Sequence, residues 1–268
     1  MARAQVGTGR PNKHGAALQL PAAAERLRAG FRLARAALTS LVRERRRDAL
    51  LLVAALAVVA CVLAFFEVAE AISAEHTQEL DRRVIQLLRR PGSPSEPIGP
   101  PWLKSAVRDF SALGSPALLA LFSTAVAVAL LVRRQFHALF LMLAATLGGR
   151  LMNVFLKAFF ERPRPDAAFH LTEVASPSFP SGHAMDSAVI YLTLAAVLSR
   201  LVRPRALKLY FVGGAMLMSF LAGASRVYLG VHYPSDVLAG WTAGLGWAVL
   251  CWSVASYLQR RGSVEAPK

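Results

Sequence analysis

An all-α bundle of six membrane-spanning helices, with its functional site at the extracytoplasmic face, is the fold the sequence predicts. Hydrophobic residues make up 55% of the 268 residues and mean hydropathy is positive, which departs from soluble-domain composition. Six apolar runs, at roughly 49–72, 116–132, 136–158, 184–202, 209–229 and 236–258, are each about long enough to cross a hydrocarbon core of about 30 Å at about 1.5 Å per residue. None alternates as a barrel strand does, and an open sheet edge in lipid would leave backbone groups unpaired, so the runs are read as helices.

Residues 1–48 form a cytoplasmic tail with eleven Lys and Arg before Asp48. Within it, residues 20–42 place Leu20, Leu27, Phe31, Ala34, Leu38 and Leu41 on one helical face and Arg26, Arg28, Arg32 and Arg35 elsewhere, which fits a helix lying on anionic lipid. A partly disordered basic tail and an Arg-rich transit peptide are the other readings of this stretch. The first apolar run follows 48 residues and is long enough to span, so it reads as an uncleaved signal anchor. The spanning domain covers 49–258, and 259–268 is a short cytoplasmic tail.

Between the first two spans lies a loop, 73–115. It opens with an amphipathic stretch carrying Leu80, Val84, Leu87 and Leu88 at helical spacing and continues with five prolines between Pro91 and Pro101. Proline fixes φ and removes a donor, so the second part reads as an irregular connector. A loop of this length serves either as a lid over a neighbouring site or as a spacer.

An even number of spans puts both termini on one side, and Lys and Arg choose that side. The tail, the 133–134 turn, the 200–208 turn and the C-terminus together hold twenty basic residues; the 73–115 loop holds six, accompanied by five acidic residues. The twenty are expected in the cytoplasm, and the charge of +15 is thereby explained without nucleic acid as a partner. The bilayer itself is the expected partner. Cys61 and Cys251 each lie inside an apolar run and have neither disulfide nor zinc spacing.

Three polar clusters sit at the ends of the later spans on the opposite, periplasmic or exterior, side. Lys157 ends the third span, and Arg164 follows in Arg162-Pro163-Arg164-Pro165, whose prolines turn the chain outward. Two fixed cations suit a phosphate group. Pro180-Ser181-Gly182-His183 precedes the fourth span, so Gly182 and His183 sit where a helix N-terminus exposes unpaired N–H groups that bind oxyanions. Ser225-Arg226 ends the fifth span, and His232 and Asp236 flank the start of the sixth. From there Asp236 can orient the His232 imidazole and leave Nε2 as a nucleophile. Each cluster alone has a plain structural explanation: snorkelling cations, a capping serine, a structural His–Asp pair. Their joint occurrence on one side of the membrane points to a single site.

A polar stripe continues below it. Arg150, Asn153 and Lys157 are spaced i, i+3 and i+7 on the third span, and polar stripes inside membranes face protein or water. Asp186, one turn below His183, is placed either to meet Arg150 in a buried support or to face a different neighbour.

In order, K-x6-R-P from Lys157, P-S-G-H from Pro180 and S-R-x5-H-x3-D from Ser225 resemble the three motifs of the phosphatidic acid phosphatase type 2 superfamily, and every motif position matches. The apolar spans point to its membrane lipid phosphatase branch rather than to its soluble vanadium haloperoxidases. The resemblance implies that His232 attacks phosphorus to give a phosphohistidine. His183 then protonates the leaving group and activates water, and Asp236 orients His232. Lys157, Arg164, Arg226, Ser181 and the Gly182 N–H hold the phosphoryl oxygens, with no metal and no cofactor. Arg150, Asn153, Asp186 and Ser225 are the expected supports. The expected substrates are phosphatidic acid, phosphatidylglycerol phosphate or an undecaprenyl diphosphate carrier. Lipid A dephosphorylation and phosphotransfer to another acceptor stand as alternatives. So does a non-catalytic lipid-phosphate binding or transport bundle, although binding alone has no use for a nucleophile.

Overall fold

The computed structural model describes residues 19–260, with the side chains before Asp48 described only in part. Contacts divide the chain into two units, Met1–Leu52 and Val53–Lys268. Helix α1 is Gln19–Ser73. Most side chains that would sort residues 20–42 into faces lie outside the described residues, as do the chain before Gln19 and after Arg260.

In the second unit α2 is Gln78–Leu87, followed by strands β1 (Arg89–Arg90) and β2 (Ser93–Pro97) and by helices α3 (Pro101–Ala112), α4 (Pro116–Val132), α5 (Phe136–Phe160), α6 (Gly182–Leu201), α7 (Arg205–Tyr228) and α8 (Pro234–Arg260). The described residues are all-helical as expected, apart from one short ribbon in the connecting segment. β1 and β2 form an antiparallel ribbon with Arg90 opposite Ser93, and Gly92 at φ +80° makes the turn.

Among the described residues five segments, Asp48–Ser73 and helices α5 to α8, are long and apolar enough to cross a membrane. A sixth arises only when α3 and α4 are taken together as one span broken by 46°. The sequence places α4 correctly but leaves α3 as loop. Its helix starts at a proline, where the missing N–H costs nothing, and Leu103 and Val107 pack into the cluster of Leu171, Tyr228, Leu229 and Val231. Ser115 caps α4, accepting from Leu118 N–H at 3.3 Å.

Helix α6 is the most buried span and packs against α4, α5, α7 and α8. Small residues allow this closeness, as is usual in membranes where no hydrophobic force separates helix from lipid. A Cβ on Gly240 would lie 2.7 Å from the Ser181 carbonyl oxygen, and one on Gly244 would lie 2.7 Å from that of Met185. Large apolar side chains on the outer faces, among them Leu147, Leu151, Phe155 and Phe159 on α5 and Leu209, Met216 and Phe220 on α7, remain exposed, as acyl-chain contact requires.

The 73–115 segment is docked on the helix ends and loops that follow it. The buried Arg89 guanidinium donates to the carbonyls of Tyr228 at 3.0 Å and Phe169 at 2.7 Å. Arg108 donates to Leu171 O at 2.9 Å, and Tyr228 Oη donates to Ile98 O at 2.7 Å. Gly230, at φ +73°, passes beneath this staple, where a Cβ would lie 2.2 Å from Phe169 O.

Candidate active site at the helix ends

The ends of α5 and α7, the starts of α6 and α8, and the segment 161–181 bring the predicted residues together. Helix α5 stops at Glu161, which adopts φ +44°, and the prolines that follow prevent its continuation. The segment then folds back: Ser178 N–H donates to Arg162 O at 2.8 Å and Ser181 N–H to Asp236 O at 2.9 Å. The second bond fixes the P-S-G-H turn to the start of α8.

His232 and Asp236 are enclosed, with 2% and 0% of their surface exposed. His232 Nδ1 lies 3.5 Å from Asp236 Oδ2, longer than a hydrogen bond. Ser178 Oγ bridges the two, 3.3 Å from Nδ1 and donating to Oδ2 at 2.5 Å. On the other side of the ring, Arg164 Nη1 is 3.2 Å from Nε2. Arginine only donates, so Nε2 is the unprotonated nitrogen and Nδ1 carries the hydrogen. Arg164 is held by the carbonyls of Val231 at 2.5 Å and Ser176 at 2.7 Å. Burial pulls the His232 pKa down to about 4, a shift that Asp236 opposes and the charges of Arg164 and Lys157 reinforce. Burial also lowers that of Arg164, although a guanidinium stays charged.

The remaining cations and donors gather around this ring. Lys157 Nζ donates to Pro177 O at 2.5 Å. Arg226 Nη1 donates to Ser111 Oγ of α3 at 2.9 Å, while its buried Nε has no partner. Ser181 Oγ is buried and also unpartnered, and it makes no cap bond to α6, so the capping-serine explanation does not describe it. Two buried polar atoms without partners, beside a helix N-terminus and a group of cations, are what an oxyanion would satisfy. His183 lies within electrostatic reach of Arg226, His232, Arg164 and Lys157. It packs on Gly114, where a Cβ would lie 2.9 Å from its ring. Gly182 leaves room for Asn153 and Lys157, whose nearest atoms would stand 3.3 and 3.7 Å from an added Cβ.

Below the rim, Arg150 and Asp186 meet: Nη1 donates to Oδ2 at 2.7 Å, and Asn153 Nδ2 donates to Oδ1 at 2.9 Å. The pair is only partly buried, because the Arg150 side chain is 54% exposed. Ser225, expected as a support, is buried at the end of α7. Its hydroxyl donates to Ala222 O at 2.7 Å within its own helix.

Three further residues belong to the site. Ser178 bridges the His–Asp pair. Arg162, read from sequence only as part of the turn, donates from Nη1 to Asp236 Oδ1 at 2.5 Å and Ser235 Oγ at 2.8 Å, and from Nη2 to Asp81 Oδ2 at 2.9 Å. Asp81 comes from α2. The R-P-R-P repeat carries a signal for Arg162, since a second arginine beside a proline-terminated helix has a fixed direction; nothing local marks Asp81. Among the described residues no three His, Cys, Asp or Glu side chains group as metal ligands do.

A bundle of membrane-length helices that closes one end around a histidine, its carboxylate and a set of arginine and lysine side chains defines a membrane-embedded phosphoryl-handling protein. The sequence profile of the PAP2 superfamily matches residues 116–260, and the chain belongs to that superfamily. It is 35% identical over 148 residues to the phosphatidylglycerophosphatase B of Bacillus subtilis strain 168, an alignment covering 54% of this chain and 71% of the relative. A shorter match, 40% identical over 67 residues, links it to an undecaprenyl-diphosphatase of Sulfolobus acidocaldarius and covers 25% of this chain and 28% of the relative. The crystal structure of a transmembrane PAP2 type phosphatidylglycerolphosphate phosphatase from Bacillus subtilis superposes with a TM-score of 0.69 at 31% identity, over 76% of this chain and 98% of that one.

Proposed function

We propose that the protein hydrolyses a phosphomonoester or diphosphate of a membrane lipid through a phosphohistidine on His232. The observation that carries this reading is the 3.2 Å approach of Arg164 Nη1 to His232 Nε2, which leaves a neutral nucleophilic nitrogen at the edge of a cation cluster. In the first step a bond forms between Nε2 and phosphorus, the bond from phosphorus to the leaving oxygen breaks with its electron pair, and His183 delivers a proton to that oxygen. In the second, water attacks phosphorus, gives a proton to His183, and the P–N pair returns to Nε2. Lys157, Arg164, Arg226, Ser181 Oγ and the Gly182 N–H hold the oxygens on which charge develops. Asp236 and Ser178 hold the imidazole, and Asp236 offsets its positive charge while phosphorus is attached.

The positive-inside distribution supports a six-span arrangement in an inner membrane, with both termini in the cytoplasm and the site facing the periplasm or exterior. Phosphatidylglycerol phosphate is the favoured substrate, since a relative 35% identical over 148 residues is named phosphatidylglycerophosphatase B; phosphatidic acid and undecaprenyl diphosphate use the same phosphoryl chemistry. The deciding experiment is phosphate release by the detergent-purified protein from these lipids and from lipid A, with EDTA present. Wild-type turnover that falls roughly 10³-fold or more in a folded His232→Ala variant is expected. A folded wild-type protein that releases no phosphate, or that transfers it only to another acceptor, overturns the hydrolase reading in favour of binding or phosphotransfer. Turnover lost to EDTA overturns metal independence.

A further inference from the structure

Asp81 lies outside the family-matched residues 116–260 and on a helix too short to span, yet it is 1% exposed and the hydrogen bonds of its side chain run toward the catalytic pair. Oδ1 accepts from Ser235 N–H at 3.1 Å; Oδ2 accepts from Ser235 Oγ at 2.5 Å and from Arg162 Nη2 at 2.9 Å. Arg162 hands the connection on. Its Nη1 donates to Asp236 Oδ1, and its guanidinium is stacked over Tyr233, 4.5 Å from the ring centre. Asp236 is thereby divided: Oδ1 is held by Arg162, while Oδ2 faces Ser178, the Tyr233 N–H and His232.

The order of charges along this chain has a consequence. A buried arginine paired with Asp236 alone would neutralise it, and a neutralised Asp236 would do little for an imidazole that becomes cationic as phosphorus is attached. A second carboxylate on the far side of Arg162 divides the guanidinium between two acids and leaves the Asp81–Arg162–Asp236 unit with a net negative charge. In a site this dry, such a charge is felt strongly at His232. Ser235, one residue before Asp236, is fixed by the same carboxylate, so the first turn of α8 is aligned as well.

We infer that Asp81 is a positioning residue for the His232 nucleophile: through Arg162 and Ser235 it fixes Asp236 and preserves its negative charge. The extramembrane helix α2 is then a working part of the active centre, not only its cover. This inference rests on the nucleophilic role proposed for His232.

The test is a double-mutant cycle on phosphate release, using Asp81→Asn, Asp236→Asn and the double variant, with thermal unfolding in detergent measured for each. Asp81→Asn is expected to lower kcat by roughly 10- to 100-fold and leave KM within about twofold, because the cations that hold phosphate are untouched. The double variant is expected to be no slower than Asp236→Asn alone, since Asp81 acts through Asp236. A residue with a merely structural role would give losses that multiply, and that result overturns the inference, as does wild-type kcat in Asp81→Asn. If Asp236→Asn fails to fold, Arg162→Lys replaces it, with the same non-multiplying result expected. A wild-type protein without turnover overturns the nucleophile reading and this inference together; normal wild-type turnover lost in His232→Ala but kept in Asp81→Asn overturns this inference alone.

Discussion

Arg164 Nη1 and His232 Nε2 stand 3.2 Å apart, and because arginine only donates, this contact assigns the tautomer of the histidine. The guanidinium is fixed from behind by two backbone carbonyls, so its remaining donors point in known directions. A lysine keeps the charge but not the planar fork. Arg164→Lys is therefore expected to lose roughly 10- to 100-fold in kcat/KM, and Arg164→Ala to lose more and raise KM as well. Steady-state kinetics on a short-chain lipid phosphate reads both. Wild-type kcat/KM in Arg164→Lys would show that charge alone suffices there.

Asp186 accepts from both Arg150 and Asn153, and Asn153 is fully buried beside Gly182. Removing the carboxylate leaves the Asn153 amide without its acceptor, a loss of about 1–3 kcal/mol. Asp186→Ala should lower the midpoint of thermal unfolding in detergent and raise KM, as Lys157 loses the support beneath it. Arg150→Ala should do less, because its side chain is half exposed and Asp186 keeps its bond from Asn153. If neither variant changes stability or KM, the pair has no supporting role.

The depressed pKa of His232 makes a signed prediction about pH. The unfolded histidine takes up a proton near pH 6.5, whereas the folded one, kept neutral chiefly by burial, does so only near 4. Between these values the unfolded state carries the extra proton, so stability rises with pH. The His232 contribution is complete above about 6.5 and is lost as pH falls toward 4, with a limiting slope of about 1.4 kcal/mol per pH unit. A folded His232→Gln variant should flatten the stability profile in that window. On the same grounds the limb of kcat/KM that reports His232 should lie well below pH 6.5. A slope unchanged in His232→Gln would assign it to another group.

What the sequence makes legible is what hydrophobicity and punctuation encode. The apolar runs locate helices α4 to α8 to within a few residues, and proline and glycine locate the turns that carry Arg164, Gly182 and Asp236. Arg150 and Asp186 are legible because helical periodicity sets them at a common depth. Asp81, Ser111 and Ser178 are not, since each acts across more than fifty residues of chain and none has a local pattern that distinguishes it from a solvated polar residue. Helix α3 was hidden by prolines that read as loop-forming but stand at its first turn. The bond that Ser225 makes to Ala222 O has no signature in the sequence either, since a serine inside any helix can bond the carbonyl of its own preceding turn.

Two helix glycines, Gly213 and Gly240, have opposite expectations once the packing is known. A Cβ at Gly240 would sit 2.7 Å from the Ser181 carbonyl oxygen and 2.9 Å from Ala184 Cβ, whereas one at Gly213 meets nothing within 4 Å. The Ser181 carbonyl belongs to backbone that cannot rotate away, and the Ser181 N–H is tied to Asp236 O. Gly240→Ala must therefore push α8 from α6 at the level of the P-S-G-H turn, a strain of about 1–3 kcal/mol, and it should lower kcat together with the unfolding midpoint. Gly213→Ala lies in the interior of α7 with free space around it, so its helix propensity should raise stability by about 0.5–1 kcal/mol and leave kcat unchanged. Measuring both variants separates the close α6–α8 approach from glycine content as the cause. Equal behaviour of the two would remove the structural reason for Gly240.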